Sequence, residues 1–317
     1  MAEILVTRAL PSDILRPLLA RGGVEVWEGE GPIRREVLLS SVGSSLGVLS
    51  MLTDSIDAEL LEAAPRLMVV SQMAAGVDNI DLDACARRRV RVGHTPGVLT
   101  ETVADTAFAL MASIVRRLPE GKRLVEEGRW GSWSPFEGLG GDLHGLILGI
   151  VGMGGVGRAV ARRASGFEMR VIYTTPRAVE GSPGQAVTLD ELLATADVVM
   201  LCAPLTEETR GMIGVAQLEA MRPISYLVNV ARGQLVDTDA LMEALGSGSI
   251  AGAALDVIDP EPLPPDHPIL SLPNCLVTPH IASASVSTRR AMAQMAVDNL
   301  IAGLDGTEMP AERRPGG

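Results

Sequence analysis

The sequence has almost no lysine. Of its 27 basic residues only Lys122 is a lysine, and the others are arginines. Chemistry that needs a lysine Schiff base or a lysine phosphate clamp is therefore nearly excluded. Aromatic residues are also scarce, with three Trp, two Tyr and three Phe among 317 residues, whereas 47% of the chain is hydrophobic and 34 residues are glycine. The core must then be aliphatic and rich in alanine, which is typical of helices packed on parallel strands.

Cysteine is rare as well. Cys85, Cys202 and Cys275 are far apart and form no CxxC pair, so we expect neither a disulfide framework nor a metal site. The N-terminal segment carries Glu3 and Arg8 within a short apolar stretch and shows no cleavage pattern, and no run approaches 18 uncharged apolar residues. These absences predict a reduced, soluble, cytoplasmic protein.

Positive charge is in deficit. The 27 basic and 39 acidic residues give a net charge of -12. Such a surface repels phosphate backbones and anionic lipids, so nucleic acid and membranes are not expected as partners. A small molecule is the expected ligand.

Short aliphatic strands alternate with amphipathic helices along most of the chain. One series runs from Glu3 to Gly93, and a second runs from Leu146 to His280. Continuous aliphatic strands between helices are typical of parallel sheets covered on both faces. The sequence therefore predicts an α/β fold with two Rossmann-like, doubly wound parallel-sheet domains. These would be a flavodoxin-like substrate domain and a dinucleotide-binding domain, with a cleft between them.

Two crossovers between these domains are expected, near residues 98 and 285. Residues 1–98 and 286–317 would then form the substrate-binding (catalytic) domain, and residues 99–285 the dinucleotide-binding domain. A long helix is predicted over Glu101 to Arg117, with Thr100 as its N-cap.

A glycine-rich loop lies between a strand and a helix in the second series. Strand LILGIV leads into Gly152-Met153-Gly154-Gly155-Val156-Gly157, and the helix RAVARRAS follows. In this context Gly152 permits the tight turn, Gly154 lets the backbone approach a pyrophosphate, and Gly157 lets the helix pack close to the strand. The helix N-terminus offers unpaired N–H groups to phosphates. This loop favours a dinucleotide site, with Gly155 and Val156 as further contacts, over a turn that uses glycine for packing only.

The end of the next strand bears on which dinucleotide binds. NAD sites usually place an Asp or Glu about 20 residues after the loop, where it accepts a hydrogen bond from the ribose 2′-OH. Here the strand leads into Thr175-Pro176-Arg177, and no acid appears before Glu180. An acid would repel a 2′-phosphate, whereas Thr175 and Arg177 could hold one. The sequence therefore favours NADP over NAD, unless Arg177 is simply a solvated surface arginine.

Three side chains suited to acid–base chemistry follow neighbouring strands of the second series. Arg232 closes strand SYLVNV, Glu261 comes after strand AALDV, and His280 comes after strand CLVTP. Doubly wound folds bind ligands beyond the carboxyl ends of their strands. Arg232 could bind a carboxylate through two parallel hydrogen bonds, and Glu261 could pair with His280 and fix its tautomer. A solvated loop glutamate is the alternative for Glu261.

The order and spacing of the motifs resemble those of the D-isomer-specific 2-hydroxyacid dehydrogenases over essentially the whole chain. The motifs are AAGVDNIDLDA (74–84), HTPGVLTETVAD (94–105), LGIVGMGGVGRAVA (148–161), APLTEETRGMI (203–213), LVNVARGQLVD (227–237), AALDVIDPEPLPPDHPIL (253–270) and LVTPHIASAS (276–285). Within the family the chain is most similar to the glyoxylate/hydroxypyruvate reductase branch, through VTRALP, VGHTPGVLT, RRLPE, GRWGSWSP and IYTTPR.

The resemblance implies a role for each matching position. It assigns catalysis to Arg232, Glu261 and His280, the trio that the strand-end argument also selects. Arg232 and His280 would contact the substrate as well. Further positions follow from the same match: Asp256 for the nicotinamide amide, Pro204 and Ala231 for the cofactor, and Leu52 with the backbone amides around Ala75, Gly76 and Val77 for the substrate. The loop departs from the family pattern, because Ala75 precedes Gly76 and Met73-Ala74 come before them. Which side chain the protein prefers on its substrate therefore stays open.

The implied activity is NAD(P)-dependent reduction of small 2-oxo acids of the glyoxylate/hydroxypyruvate type to (R)-2-hydroxy acids. Alternatives are oxidation of another D-2-hydroxy acid, oxidation of phosphite, and a non-catalytic dinucleotide-sensing protein on the same fold. The resemblance also implies a homodimer joined through the dinucleotide-binding domains. The Gly128 to Gly141 stretch would then cross the dyad, and Trp133 or Phe136 could border the partner's substrate pocket. The alternative is that Trp130 and Trp133 merely cap a surface groove.

Overall fold

The computed structural model describes residues 3–176 and 179–315. The chain divides into two compact units, one made of Met1–Leu99 with Ala284–Gly317 and the other of Thr100–Ser283. The predicted crossovers, near residues 98 and 285, lie next to these bounds. The functions predicted for the two units stay predictions at this point.

The strands of the described residues are β1 (Ile4–Val6), β2 (Val24–Val26), β3 (Gly47–Ser50), β4 (Val69–Gln72), β5 (Arg91–Gly93), β6 (Ile147–Val151), β7 (Arg170–Thr174), β8 (Gln185–Ala186), β9 (Val198–Leu201), β10 (Tyr226–Asn229), β11 (Gly252–Leu255), β12 (Cys275–Val277) and β13 (Glu312–Arg313).

The α-helices of the same residues are α1 (Ser12–Leu19), α2 (Arg35–Ser41), α3 (Ala58–Ala63), α4 (Leu82–Arg87), α5 (Thr100–Val115), α6 (Leu118–Glu126), α7 (Gly155–Ala164), α8 (Leu189–Thr195), α9 (Val215–Ala220), α10 (Thr238–Ser247) and α11 (Val286–Leu304). Within the described ranges, no helix combines the length and the apolar character needed to cross a bilayer.

The first unit contains a sheet with the strand order β13-β5-β4-β3-β1-β2. Strands β1 to β5 are parallel, and β13 is antiparallel to β5, with Glu312 opposite Gly93. Apart from this edge strand, the order is that of flavodoxin-like sheets. The loops after β1, β3, β4 and β5 therefore share one edge of the sheet.

The second unit contains a parallel sheet with the order β12-β11-β10-β9-β6-β7-β8. This is the Rossmann order extended by one strand, and its topological switch point lies between β6 and β9. Both sheets are doubly wound, so the predicted α/β class is confirmed.

The buried strands explain why both sheets are covered on two faces. Strands β3, β4, β9 and β11 are buried along their whole length. Such strands need helices on both sides, because each one directs apolar side chains to both faces. In the second unit the two resulting cores are almost entirely aliphatic, with Phe108 and Tyr173 as rare buried aromatic residues.

The region around α5 and α6 differs from the sequence-based expectation. Helix α5 begins at Thr100 itself, so Thr100 is the first helical residue and not the N-cap, and the helix ends at Val115. Helix α6 then begins at Leu118, which the sequence analysis did not predict. Pro119 lies in its first turn, where a missing N–H costs nothing because these groups have no partner within a helix.

The amide of Asn299 provides a test of the first unit's packing. Asn299 is fully buried on α11, where its Nδ2 donates to His94 O at 2.8 Å and its Oδ1 accepts from Ala311 N at 2.9 Å. Asn299→Leu should lower the free energy of unfolding by about 1–3 kcal/mol, because both buried partners lose their hydrogen bonds. Urea denaturation measures this. Gln294→Leu, at an exposed position of the same helix, should change stability far less. An equal loss of stability in Asn299→Leu and Gln294→Leu would contradict a stabilising role for the two buried hydrogen bonds of Asn299.

Candidate active site

Arg232, Glu261 and His280 lie beyond the carboxyl ends of β10, β11 and β12, which are adjacent in the second unit's sheet. Parallel strands bring their carboxyl ends to one edge, so the fold alone places the three loops side by side. The structure brings two of the side chains into direct contact. His280 Nδ1 lies 2.6 Å from Glu261 Oε1, and the two side chains are 23% and 36% exposed.

This contact fixes the chemistry of the imidazole. A carboxylate only accepts hydrogen bonds, so His280 Nδ1 carries the proton that is shared with Glu261. The second nitrogen, Nε2, is the atom left to exchange a proton with a ligand. A partly exposed imidazole held by a carboxylate is an arrangement suited to general acid–base catalysis.

The backbone of His280 has a left-handed conformation, with φ of 52°. For a residue other than glycine this conformation costs of order 1–3 kcal/mol and persists only where the surroundings enforce it. Here Asp256, which directly follows β11, provides the restraint. Its carbonyl oxygen accepts from His280 N at 2.9 Å.

The side chain of Asp256 restrains the chain on both sides of the histidine. Its carboxylate is buried, with 1% of the residue exposed. Oδ1 accepts from Thr278 Oγ1 at 2.7 Å and from Ile281 N at 2.9 Å, and Oδ2 accepts from Ala282 N at 2.7 Å. Since each carboxylate oxygen accepts about two hydrogen bonds, Oδ2 has capacity for one more donor. That capacity suits an amide N–H₂ group, such as the nicotinamide amide that Asp256 is predicted to bind.

Arg232 lies at the start of a short 3₁₀ turn, Gly233–Leu235. The buried side chain of Asn229 holds this turn, because its Nδ2 donates to Arg232 O at 2.8 Å and its Oδ1 accepts from Ala231 N at 3.0 Å. A Cβ on Gly233 would lie only 2.1 Å from the carbonyl carbon of Ile258. Only glycine therefore lets the turn after β10 pack against the loop after β11. The Arg232 side chain is half-buried, and its Nη1 donates to Ala231 O at 2.8 Å.

The glycine loop has the geometry that its sequence predicts. Gly152 has φ of 97°, and a Cβ there would lie 2.7 Å from Ala203 N in the loop after β9. A Cβ on Gly157 would lie 2.2 Å from Gly152 O, so this glycine allows α7 to pack against the turn. A Cβ on Gly154, by contrast, would meet no heavy atom of the described residues within 4 Å. The loop is therefore tight at Gly152 and Gly157, where it touches protein, and open at Gly154.

The other predicted cofactor positions lie at the same edge of this sheet. Half-buried Thr175 follows β7, and exposed Pro204 follows β9. Gly155 and Val156 begin α7, whose N-cap residue is Gly154 and whose N-terminus receives no side-chain cap from the described residues. Arg177 lies outside the described residues.

The predicted substrate loop belongs to the first unit. Ala75, Gly76 and Val77 follow β4 and are half-buried, and Leu52 follows β3 with 36% of its surface exposed. Because β3 and β4 are neighbours in the sheet, these positions share its carboxyl edge.

Comparison with known proteins assigns the family. Residues 108–282 match the family model "D-isomer specific 2-hydroxyacid dehydrogenase, NAD binding domain". Glyoxylate reductase from Korarchaeum cryptofilum is 47% identical over 305 residues, covering 95% of this chain and 92% of the relative. The chain belongs to the D-isomer-specific 2-hydroxyacid dehydrogenase family.

Two solved structures show how closely this dehydrogenase follows known folds. A protein from Thermus thermophilus is 47% identical with a TM-score of 0.92, covering 98% of this chain and 99% of that one. An NADPH-dependent glyoxylate/hydroxypyruvate reductase from Sinorhizobium meliloti, solved with NADP and malonate, is 33% identical with a TM-score of 0.85, covering 98% and 96%. The dehydrogenase is thus an oxidoreductase whose cofactor is a nicotinamide dinucleotide.

Sequence reasoning missed two residues that hold the site of this dehydrogenase together. Asn229 stands in the apolar strand SYLVNV, where a buried amide needs partners, so its position alone was a usable signal. Thr278 gave no such signal, because a threonine two residues before a histidine is unremarkable until the fold shows the carboxylate it meets.

The hydroxyl of Thr278 provides a test of the restraint on His280. Thr278→Val keeps the shape of the side chain but removes its donor to Asp256. We expect kcat to fall about tenfold, which corresponds to about 1.4 kcal/mol, because the charge-assisted hydrogen bond that aligns the histidine loop is lost. Steady-state kinetics with NADPH and a 2-oxo acid measure this. Thr278→Ser, which keeps the hydroxyl, should stay near the wild-type value. A loss of kcat in Thr278→Ser with near-wild-type kcat in Thr278→Val would instead assign the role of Thr278 to its methyl group.

Proposed function

We propose that this dehydrogenase reduces glyoxylate and hydroxypyruvate with NAD(P)H, giving (R)-2-hydroxy acids where the product is chiral. The contact between His280 and Glu261 carries the proposal, because it leaves a histidine nitrogen available for proton transfer at the sheet edge that also bears the glycine loop. The relatives named glyoxylate reductase and glyoxylate/hydroxypyruvate reductase support this substrate class. In this proposal the first unit binds the substrate and the second the dinucleotide.

The proposed chemistry assigns a proton donor to the chain. When bound, the reduced nicotinamide supplies the hydride that adds to the keto carbon. His280 Nε2–H then gives its proton to the developing alkoxide oxygen, while Glu261 stabilises the ring and holds its orientation through Nδ1. In the oxidative direction the neutral ring takes the hydroxyl proton back. The contact of Nδ1 with Glu261 leaves Nε2 on the opposite side of the ring, away from the glutamate.

Binding of the substrate carboxylate falls to Arg232 and to the amides of Gly76 and Val77. A guanidinium offers two parallel donors that match a carboxylate, and it polarises the neighbouring carbonyl. Leu52 would provide apolar contact with the rest of a small substrate. These assignments predict a preference for 2-oxo acids over simple aldehydes, because an aldehyde lacks the carboxylate.

NADP is the favoured cofactor. The residue after β7 is Thr175, and the next acid in the sequence is Glu180, so the position where NAD sites usually carry the acid that accepts from the ribose 2′-OH is a threonine. Arg177 would neutralise a 2′-phosphate. The S. meliloti relative named as NADPH-dependent supports the same choice. Gly154, Gly155, Val156, Pro204 and Ala231 would line the pyrophosphate and ribose, and Asp256 Oδ2 would accept from the nicotinamide amide.

The segment 128–141 favours a homodimer formed through the second unit. Its apolar side chains are unusually exposed for a soluble surface, with Trp130 at 71%, Trp133 at 83% and Phe136 at 82%. Clustered exposed aromatic residues mark interaction surfaces. We propose that a second copy covers them and that Trp133 or Phe136 borders the partner's substrate pocket.

The function is tested with a panel of 2-oxo acids assayed with NADPH and with NADH. Wild-type protein should reduce glyoxylate and hydroxypyruvate, with kcat/KM for NADPH at least equal to that for NADH. His280→Gln should lower kcat by roughly 10² to 10⁴, the usual contribution of a positioned general acid, with little change in cofactor affinity. His144→Gln, at an exposed histidine of the same unit, serves as the matched control. Cofactor binding without turnover of any acid in the panel would favour the sensing protein.

The dimer is tested by light scattering after size-exclusion chromatography. Wild-type protein should have twice the mass of the 33.3 kDa chain. Replacing Trp130, Trp133 and Phe136 together with Ser should shift the mass toward one chain, since a few buried aromatic residues carry much of the binding energy of an interface. Val286→Ser, which changes an exposed residue of the first unit, is the control. A monomeric wild-type protein would overturn the proposal.

A further inference from the structure

Two consecutive peptide N–H groups in the first unit have no hydrogen-bond partner among the described residues. They belong to Gly76 and Val77, which follow the bend at residues 73–75 after β4 and are half-buried. Backbone donors in such positions are rarely left unpaired, so a ligand or solvent must satisfy them. We call these two groups the amide pair.

The carbonyl that precedes the first of these N–H groups is held by His94. Its Nδ1 lies 2.8 Å from Ala75 O. A carbonyl only accepts, so Nδ1 carries the proton. In a trans peptide the C=O and the following N–H point in opposite directions. Holding Ala75 O toward His94 therefore turns the N–H of Gly76 away from the histidine.

The carbonyl that precedes the second N–H group is held by Gln72. Gln72 is fully buried, and its Nε2 donates to Gly76 O at 2.7 Å. The same amide exchanges hydrogen bonds of 2.8 Å with the side chain of Asn79 in both directions, and Asn79 Nδ2 also donates to Asp54 O at 2.6 Å. By the same geometry, the N–H of Val77 points away from Gln72.

The surroundings keep His94 in the state that this geometry needs. His94 is half-buried, and burial together with the nearby Arg313 lowers the pKa of its imidazole. The ring is therefore neutral near pH 7, with its single proton on Nδ1. It serves as a donor to Ala75 without adding positive charge behind the loop.

We propose that His94 and Gln72 are positioning residues that orient the amide pair toward the carboxylate of the substrate. Each acts through one carbonyl of the loop and touches neither substrate nor cofactor. The inference rests on the proposed function for the identity of the anion, because only a 2-oxo acid brings this carboxylate to the first unit. Its geometry, however, rests on this unit alone.

Variants at position 94 separate orientation from packing. His94→Asn retains a donor close to the place of Nδ1, whereas His94→Leu fills similar space without a donor. His94→Gln carries its donor one bond further along the side chain than His94→Asn. It replaces His94→Leu if the leucine variant does not fold. Gln72→Met removes the second donor while keeping a side chain of similar length.

The measurements are KM and kcat for glyoxylate at saturating NADPH, and the Kd of oxalate from titration calorimetry on NADPH-loaded protein. Oxalate carries the carboxylate but cannot be reduced. His94→Leu and Gln72→Met should each raise KM and the oxalate Kd about tenfold, the effect expected when a donor is misaligned. In both variants kcat and the Kd of NADPH should stay within about threefold of wild type, and His94→Asn should retain near-wild-type values throughout.

Two results would overturn the inference. One is unchanged KM and oxalate Kd in folded His94→Leu and Gln72→Met. The other is a parallel loss of NADPH binding and melting temperature in all variants, His94→Asn included, which would show a purely structural role. If wild-type protein reduces no 2-oxo acid but binds oxalate with the predicted pattern, the proposed function fails while the orientation of the amide pair stands.

Discussion

A buried carboxylate holds the chain on either side of His280. Removing a carboxylate from water costs several kcal/mol unless hydrogen bonds replace its hydration. Asp256 meets this requirement with a hydroxyl and two backbone N–H groups, all supplied by residues 278–282. Because the donors flank the histidine, the stabilisation of the carboxylate and the placement of the imidazole are the same interaction. A neutral residue at position 256 would lose both together.

Both sheets gather loops at the carboxyl ends of their parallel strands, but the two edges present different chemical groups. In the second unit, loops after β10, β11 and β12 bring a cation, a carboxylate and an imidazole to one edge. In the first unit the corresponding edge presents backbone N–H groups, and the side chains of Gln72 and His94 lie behind them. In the proposed mechanism the ionisable side chains supply proton transfer and charge, whereas the peptide groups supply rigid donors that cost little entropy to order.

Much of this arrangement could be predicted from the sequence, and the reason is the regularity of parallel sheets. Arg232, Glu261 and His280 each follow an aliphatic run, and carboxyl ends of such runs meet at one edge. The spacing of Gly152, Gly154 and Gly157 could be interpreted in the same way, because a Cβ on Gly152 or Gly157 would lie too close to neighbouring backbone atoms.

The supporting residues could not be found this way. Thr278, Gln72 and Asn79 act through hydrogen bonds whose partners are distant in sequence or are backbone carbonyls, and neither leaves a pattern. Helix α6 was not predicted because Pro119 suggested the end of the preceding helix. A proline suits the first turn of a new helix equally well.

The discontinuity of the first unit has a consequence for the order in which the protein can fold during synthesis. Helix α11 packs on the sheet of β3, β4 and β5, and a buried hydrogen bond of 2.6 Å joins Ser71 Oγ to Ala296 O. A ribosome makes these partners with all of Thr100–Ser283 between them. The second unit is continuous and can close as soon as it emerges. The first unit must wait for α11, and until that helix arrives the apolar side chains that it covers, Leu49 and Val69 among them, stay partly exposed.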